Sequence, residues 1–212
     1  GELDDAVITL YGIPASASTA PRICLEEAGA DFTFIRISRD PPGPAAFLAA
    51  SPHRKVPALV DGDVTMTESA AITMYLSDRF PHANLAPATT DPARADWYQW
   101  IMFLTTAVQA PLYQVIYPER FTTDRLMVGR VRDHAARQID DALEWIETQL
   151  ADDRAHLLGE RFSSADIFWF MVIPWTRHLV RPAFVRPRTA AYFARLSQRP
   201  SIARVVAMEG IV

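Results

Sequence analysis

Two β-prone runs joined across a glycine limit what this chain can fold into. Residues 56–60, Val-Pro-Ala-Leu-Val, and residues 64–66, Val-Thr-Met, flank Asp61-Gly62-Asp63. A tight hairpin needs a residue at positive φ, which Gly62 adopts at no steric cost. Pro57 lacks the amide an interior ladder would require, so it suits the opening of a strand. Glu68 and Ser69 follow the second run. Ile72, Tyr75, Leu76 and Phe80 then recur near helical spacing over residues 69–80, with Ser69 expected as N-cap. A helix that begins where a sheet ends turns its unpaired amides and positive dipole end outward, which suits a carboxylate.

Upstream, residues 6–11 (AVITLY) form a β-prone run closed by Gly12 and read as a buried central strand. Tyr11 suits packing at its end. The loop 12–17 leads to a helix expected over 18–28. With Ser18 as N-cap, Pro21 falls in the first turn, where its missing amide costs nothing, and Gly29 suits a left-handed C-cap. Residues 31–37 supply a second strand, parallel to the first through a right-handed crossover. Pro41, Pro42, Gly43 and Pro44 mark an irregular segment before a short helix over 44–50. With the hairpin and its helix, the order is β-α-β-α-β-β-α, a thioredoxin-like domain over residues 1–81.

The proline-rich stretch 82–91 reads as a linker, and everything after it is helical in pattern, giving an all-α domain over 92–212. The fold class is therefore α/β plus all-α. A first helix is expected over 92–113, burying Trp97, Trp100, Ile101, Leu104 and Val108 and bent or ended by Pro111. Thr122 or Thr123 is expected to start a long helix reaching residue 150. Phe162-Ser163-Ser164-Ala165-Asp166 has the spacing of a capping box, Ser163 capping and Asp166 standing three residues on.

Composition excludes several functions. With 50% hydrophobic and 22% charged residues, the 212-residue chain is an ordinary globular one, and its net charge of −4 comes without a basic stripe to neutralise phosphates, so no nucleic-acid partner is expected. The single cysteine, Cys24, excludes an internal disulfide and any Cys-x-x-Cys motif, which fits a reducing compartment. Inside a helix it is expected to be a small buried residue. No run approaches the roughly 20 apolar residues of a membrane span, no secretory leader pattern opens the sequence, and no membrane partner is expected. The histidines at 53, 82, 134, 156 and 178 lack ligand spacing, so no metal is expected. Gly-x-Ser-x-Gly, phosphate-loop and dinucleotide motifs are also missing.

The ordered string Val-Pro-Ala-Leu-Val, Asp-Gly, Thr-Glu-Ser-Ala-Ala-Ile and Tyr-Leu resembles the glutathione-binding half of the cytosolic glutathione transferases, in the manner of a serine-type or beta-like bacterial member. The Ser-x-x-Asp element at 163–166 extends the resemblance into the helical half. The resemblance implies a cis peptide bond before Pro57, backbone contacts from Val56 to the cysteinyl part of glutathione, and Glu68 and Ser69 at its γ-glutamyl end. Lys55, where the family usually has glutamine, is expected at the peptide and glycine carboxylate with His53 and Arg39; Arg54 adds to this basic cluster. A hydroxyl near the start of the first helix would stabilise the glutathione thiolate. Two serines compete: Leu-Tyr-Gly-Ile-Pro-Ala-Ser favours Ser16, whereas counting back from Ala20-Pro21-Arg22 favours Ser18.

The resemblance further implies glutathione as co-substrate, a small electrophilic partner, a homodimer, a cytoplasmic setting and a role in detoxification. Ile13, Phe103, Thr106, Gln109, Tyr113, Tyr117 and Trp175 are the candidate electrophile contacts. A non-catalytic binding protein and a glutathione-dependent isomerase or lyase are the alternatives.

Overall fold

Alternating large apolar side chains send the first strand's residues to both faces of a sheet, and the helices that follow cover those faces. The computed structural model describes residues 7–40 and 43–211. β1 (Ile8–Gly12), α1 (Thr19–Ala28), β2 (Phe32–Arg36), α2 (Ala45–Ala50), β3 (Ala58–Asp61), β4 (Val64–Thr67) and α3 (Ser69–Arg79) follow in order. The strands lie in the order β2-β1-β3-β4. β1 and β2 are parallel, with Ile8 opposite Phe32, while β3 runs antiparallel to both β1 and β4. This is the thioredoxin-like arrangement expected. Ala6, the expected start of the first strand, and Pro41 and Pro42 lie outside the described residues.

Leu10, Ile23, Leu25, Leu59, Ile72 and Leu76 are fully buried, each contributing about 1.5–3 kcal/mol by leaving water. Tyr11, Ile37, Phe47, Ala50 and Ala58 form a second buried cluster, and Ile13 and Val56 pack at its margin. Gly29 takes the expected left-handed C-cap, at φ 61°. Two capping expectations need correction. Ser18 precedes α1 but makes no side-chain cap, because its hydroxyl is spent on Ile13. Ser69 is the first residue of α3 rather than its cap; Glu68 holds that position, and the Ser69 hydroxyl donates inward to Ala17 O at 2.6 Å.

The second unit runs from Pro87 to Leu196. α4 (Ala93–Phe103) passes through a π-helical stretch, Leu104–Gln109, into α5 (Ala110–Ile116). Pro111 therefore neither ends nor breaks the helix at the expected place. The wider π turn precedes it, and its missing amide falls in the first turn of α5, where no partner is required. α6 (Val128–Gln149) starts later than Thr122 or Thr123. The Thr122 hydroxyl is taken by the Asp124 amide at 3.1 Å, and the Asp124 carboxylate caps the short turn before α6 through Leu126 N at 2.9 Å.

At α7 (Ser164–Val172) the capping box forms as expected: Ala165 N donates to Ser163 Oγ and Ser163 N to Asp166 Oδ2. Asp166 also accepts from Leu157 N and the Tyr192 hydroxyl of α8 (Pro187–Ser197), so one buried carboxylate joins three segments. Burial raises the Asp166 carboxyl pKa, against the pull of those bonds and of His156. No helix among the described residues is long and apolar enough to cross a membrane.

The last helix corrects the expected domain boundary. α9 (Pro200–Glu209) belongs with the thioredoxin-like unit, which runs to Ala86 and takes up the chain again from Ser197. Helical pattern alone assigned residues 197–212 to the all-α domain, but α9 packs on α1. Glu27 there accepts from the Arg199 guanidinium and the Ser201 hydroxyl, and Arg204 pairs with Glu26 at 3.2 Å. Burial pushes the Glu27 carboxyl up, but the hydrogen bonds of Arg199 and Ser201, with the charges of Arg199 and Arg204, outweigh it and hold the group below its ordinary value. A depressed carboxyl stabilises the fold above its unfolded pKa and loses that contribution as pH falls through the folded one. Glu27→Gln is therefore expected to cost about 1–2 kcal/mol at neutral pH, with Arg199 partly in solvent. Thermal denaturation should show this gap closing as pH falls from the ordinary glutamate range through the lower native pKa of Glu27.

Candidate functional site

The strand register brings three distant stretches to one edge. Tyr11 is opposite Ala58, and Ala58 is opposite Thr67. One step beyond this rung stand Gly12, Pro57 and Glu68, each opening into a loop or helix. The N-termini of α1 and α3 lie at the same edge, tied by the Ser69 hydroxyl on Ala17 O. Gly12 is required here because a Cβ would lie 2.4 Å from Ser18 Oγ.

The two candidate serines have different surroundings. Ser18 is fully buried, and its hydroxyl accepts from Ile13 N at 3.1 Å and donates to Ile13 O at 2.9 Å. Ser16 is half-buried and donates to the same carbonyl at 2.6 Å. Its oxygen lies 3.1 Å from Ser18 Oγ and accepts from Ser18 N at 3.3 Å. The Ile13 carbonyl therefore has two donors. If Ser16 turns away, Ser18 still satisfies that carbonyl, so Ser16 is the hydroxyl free to serve a ligand.

Across the edge, the Val56-Pro57 bond is cis. The loop before it is braced by Ser51, whose buried hydroxyl donates to Lys55 O at 2.8 Å and accepts from Lys55 N at 3.1 Å, while Ser51 O accepts from Arg54 N. His53, Arg54 and Lys55 are exposed, as is Arg39, and their side chains enter no ion pair among the described residues. Glu68 is exposed too.

Ala15, Arg54 and Glu68 have φ of 55°, 56° and 73°. Such conformations are costly for residues with a Cβ and persist where surrounding bonds enforce them. Each flanks a candidate: Ala15 precedes Ser16, Arg54 precedes Lys55, and Glu68 precedes Ser69. Nothing in these residue types signals a left-handed backbone. Two supporting residues also escape a reading of the sequence. Ser51 stands before Pro52, a turn signal, yet its grip on Lys55 is visible only in three dimensions. Glu209, which accepts the Ala15 amide at 3.0 Å, lies 194 residues away and has no sequence signal at all.

The electrophile candidates are divided between the two units. Ile13 borders the cluster described above. In the second unit, Phe103 packs on Trp145 with ring centroids 4.4 Å apart, and Gln109 is buried. The Thr106 hydroxyl returns to Met102 O, and Tyr117 lies under the Arg120 guanidinium. Tyr113 and Trp175 do meet, at 6.0 Å between centroids, with Tyr113 exposed. Cys24 is fully buried, and burial, followed by the nearby Glu27 charge, pushes its thiol far above the ordinary range. No group of three or more metal-ligating side chains occurs among the described residues.

A thioredoxin-like unit that opens two helix N-termini at one end of its sheet offers a site for an anionic ligand. The family model for the glutathione S-transferase N-terminal domain matches residues 10–86, and that for the glutathione S-transferase C-terminal domain matches 129–195. The chain is similar to glutathione S-transferase GstA of Escherichia coli O157:H7, 26% identical over 209 residues, covering 95% of this chain and 98% of that protein. Among solved structures it is similar to a sphingomonad glutathione S-transferase complexed with glutathione, at TM-score 0.83 and 29% identity over 96% of this chain and all (100%) of that one. A beta-class bacterial enzyme from Sphingomonas chungbukensis gives the same TM-score of 0.83 and 29% identity, over 96% of this chain and 100% of that one. The chain belongs to the glutathione S-transferase family.

Two consequences can be measured without any substrate. Ser51→Ala is expected to speed hydrogen exchange at the Lys55 amide by about tenfold, the worth of one ordinary hydrogen bond. Cys24 is expected to resist an aromatic disulfide reagent in the native protein and to react fully on denaturation; rapid native labelling would contradict its burial.

Proposed function

We propose that this enzyme binds glutathione at the edge of its sheet and activates the thiol, as thiolate, for attack on an electrophilic, largely apolar small molecule. The shared rung Tyr11, Ala58 and Thr67 carries this reading, because it gathers the Ser16 turn, the Val56 backbone and the start of α3. The sphingomonad relative is described as a complex with glutathione, which supports the same ligand here. In this reading Val56 pairs through its backbone with the cysteinyl part, beside the cis bond to Pro57. The γ-glutamyl carboxylate meets the N-terminus of α3 at Ser69, and Glu68 receives the ammonium. Lys55, with His53 and Arg39, faces the glycine carboxylate.

Ser16 is the catalytic hydroxyl, and Ser18 holds the loop that presents it. The Ser16 hydroxyl, its O–H bond intact, turns its hydrogen bond from Ile13 O to the sulfur, while Ser18 keeps its bond to that carbonyl. Accepting from Ser18 N sharpens Ser16 as a donor, and the N-terminus of α1 adds its favourable field. The thiol proton passes to solvent. The sulfur lone pair then forms the carbon–sulfur bond, and the leaving group departs with the electron pair of the bond it held.

Ser16→Ala is expected to raise the pKa of the bound thiol by about one to two units, read from thiolate absorbance, and to lower turnover at neutral pH about tenfold or more. Ser18→Ala is expected to lower thermal stability, since it leaves Ile13 N without its buried acceptor. Glu68→Ala is expected to raise the KM for glutathione about tenfold or more while the thiol pKa moves little. An unshifted thiol in the Ser16→Ala protein would overturn the assignment. Glutathione recovered unchanged after turnover of an electrophile panel would identify an isomerase instead of a conjugating enzyme.

A further inference from the structure

Glu209 closes α9, and its carboxylate has no exposed surface. Three donors meet it: the Ala15 amide reaches Oε2 at 3.0 Å, the Thr19 hydroxyl reaches Oε2 at 2.7 Å, and Arg22 Nη1 reaches Oε1 at 3.2 Å. Arg22 is itself fixed, with its guanidinium 4.1 Å from the Phe34 ring centroid. A carboxylate without water is tolerated only where such donors replace its hydration.

The placement of these donors is what matters. Ala15 and Thr19 bracket Ser16, and both bonds fall on one oxygen. Docking α9 on α1 does not require them, because Glu27 already binds Arg199 and Ser201, and Glu26 pairs with Arg204. Nor does α9 need them to end, since Gly210 caps it at φ 65°. Ala15, by contrast, holds a left-handed backbone that an alanine does not favour, and its amide faces the buried carboxylate.

We propose that Glu209 is a positioning residue for the reaction: by holding the Ala15 amide and the Thr19 hydroxyl it fixes the turn that carries Ser16, and so the direction in which that hydroxyl points. The inference rests on the reading of Ser16 given above. Its sign is distinctive. A nearby negative charge, taken alone, disfavours a thiolate, so removing the charge would lower the thiol pKa, whereas loosening the Ser16 turn raises it.

The test is a double-mutant cycle in the full chain, with the bound glutathione thiol titrated by its thiolate absorbance and folding checked by circular dichroism. Glu209→Gln is expected to raise the thiol pKa by about half to one unit and to lower kcat at neutral pH about three- to tenfold, leaving the KM for glutathione within about twofold. In a Ser16→Ala background it is expected to add nothing. A thiol pKa that stays or falls in Glu209→Gln, while Ser16→Ala raises it, overturns this inference and leaves the Ser16 reading standing. An equal rise in both backgrounds overturns it too, because Glu209 would then act apart from Ser16. If Ser16→Ala alone moves nothing, both fall. Should Glu209→Gln fail to fold, Thr19→Val removes one donor from the same oxygen and is expected to give a smaller upward shift, again absent beside Ser16→Ala; no shift overturns the proposal.

Discussion

The candidate site depends on buried and half-buried hydrogen bonds that hold non-glycine backbone at positive φ. Ala15, Arg54 and Glu68 each adopt a positive φ, and each lies beside a fixed polar anchor. Glu209 holds Ala15, Ser51 holds the Arg54 and Lys55 amides, and Ser69 grips Ala17 directly after Glu68. A buried donor or acceptor left unpaired costs roughly 1–3 kcal/mol, comparable to the strain of one such residue. The anchors and the strained turns thus stabilise one another, and a change at an anchor is felt at the edge of the sheet.

The same economy governs the two serines. A carbonyl oxygen has two lone pairs, and Ile13 O uses both, one on Ser16 and one on Ser18. The buried hydroxyl gives the loop its shape, which leaves the half-buried one able to change partner without orphaning the carbonyl. Two serines of the same chemistry, two residues apart, come to differ through burial and through the amide each accepts. A polar group in contact with ligand can reorient only where a second group covers the bond it leaves.

Much of the fold is legible in the residues. The Gly62 hairpin, the Gly29 cap, the parallel β1 and β2, and the Ser163 and Asp166 box all follow from local chemistry that tertiary context did not override. The cis bond before Pro57 came from resemblance rather than from any physical reading. Boundaries and caps were less legible: Ser69 turned inward because Ala17 O offered a buried acceptor, and Asp124 capped a short turn, Arg125–Met127, that precedes α6. The candidate contacts could be named from the sequence, and their supports could not. Lys55, Glu68 and Ser16 lie in ordered motifs, while Ser51 and Glu209 matter through hydrogen bonds that no spacing announces. The aromatic candidates of the second unit were hardest, since the same residues build a helical core.

The return of α9 to α1 makes the first unit discontinuous along the chain. During synthesis Glu27 and Thr19 emerge early, yet Arg199 and Glu209 follow only after the whole of the second unit has been made. The nascent thioredoxin-like sheet therefore waits on the ribosome with its Ala15 turn unanchored, and the helical unit folds as an insertion within it. In translational order, the Ser16 turn is made long before the helix whose carboxylate sets it in place.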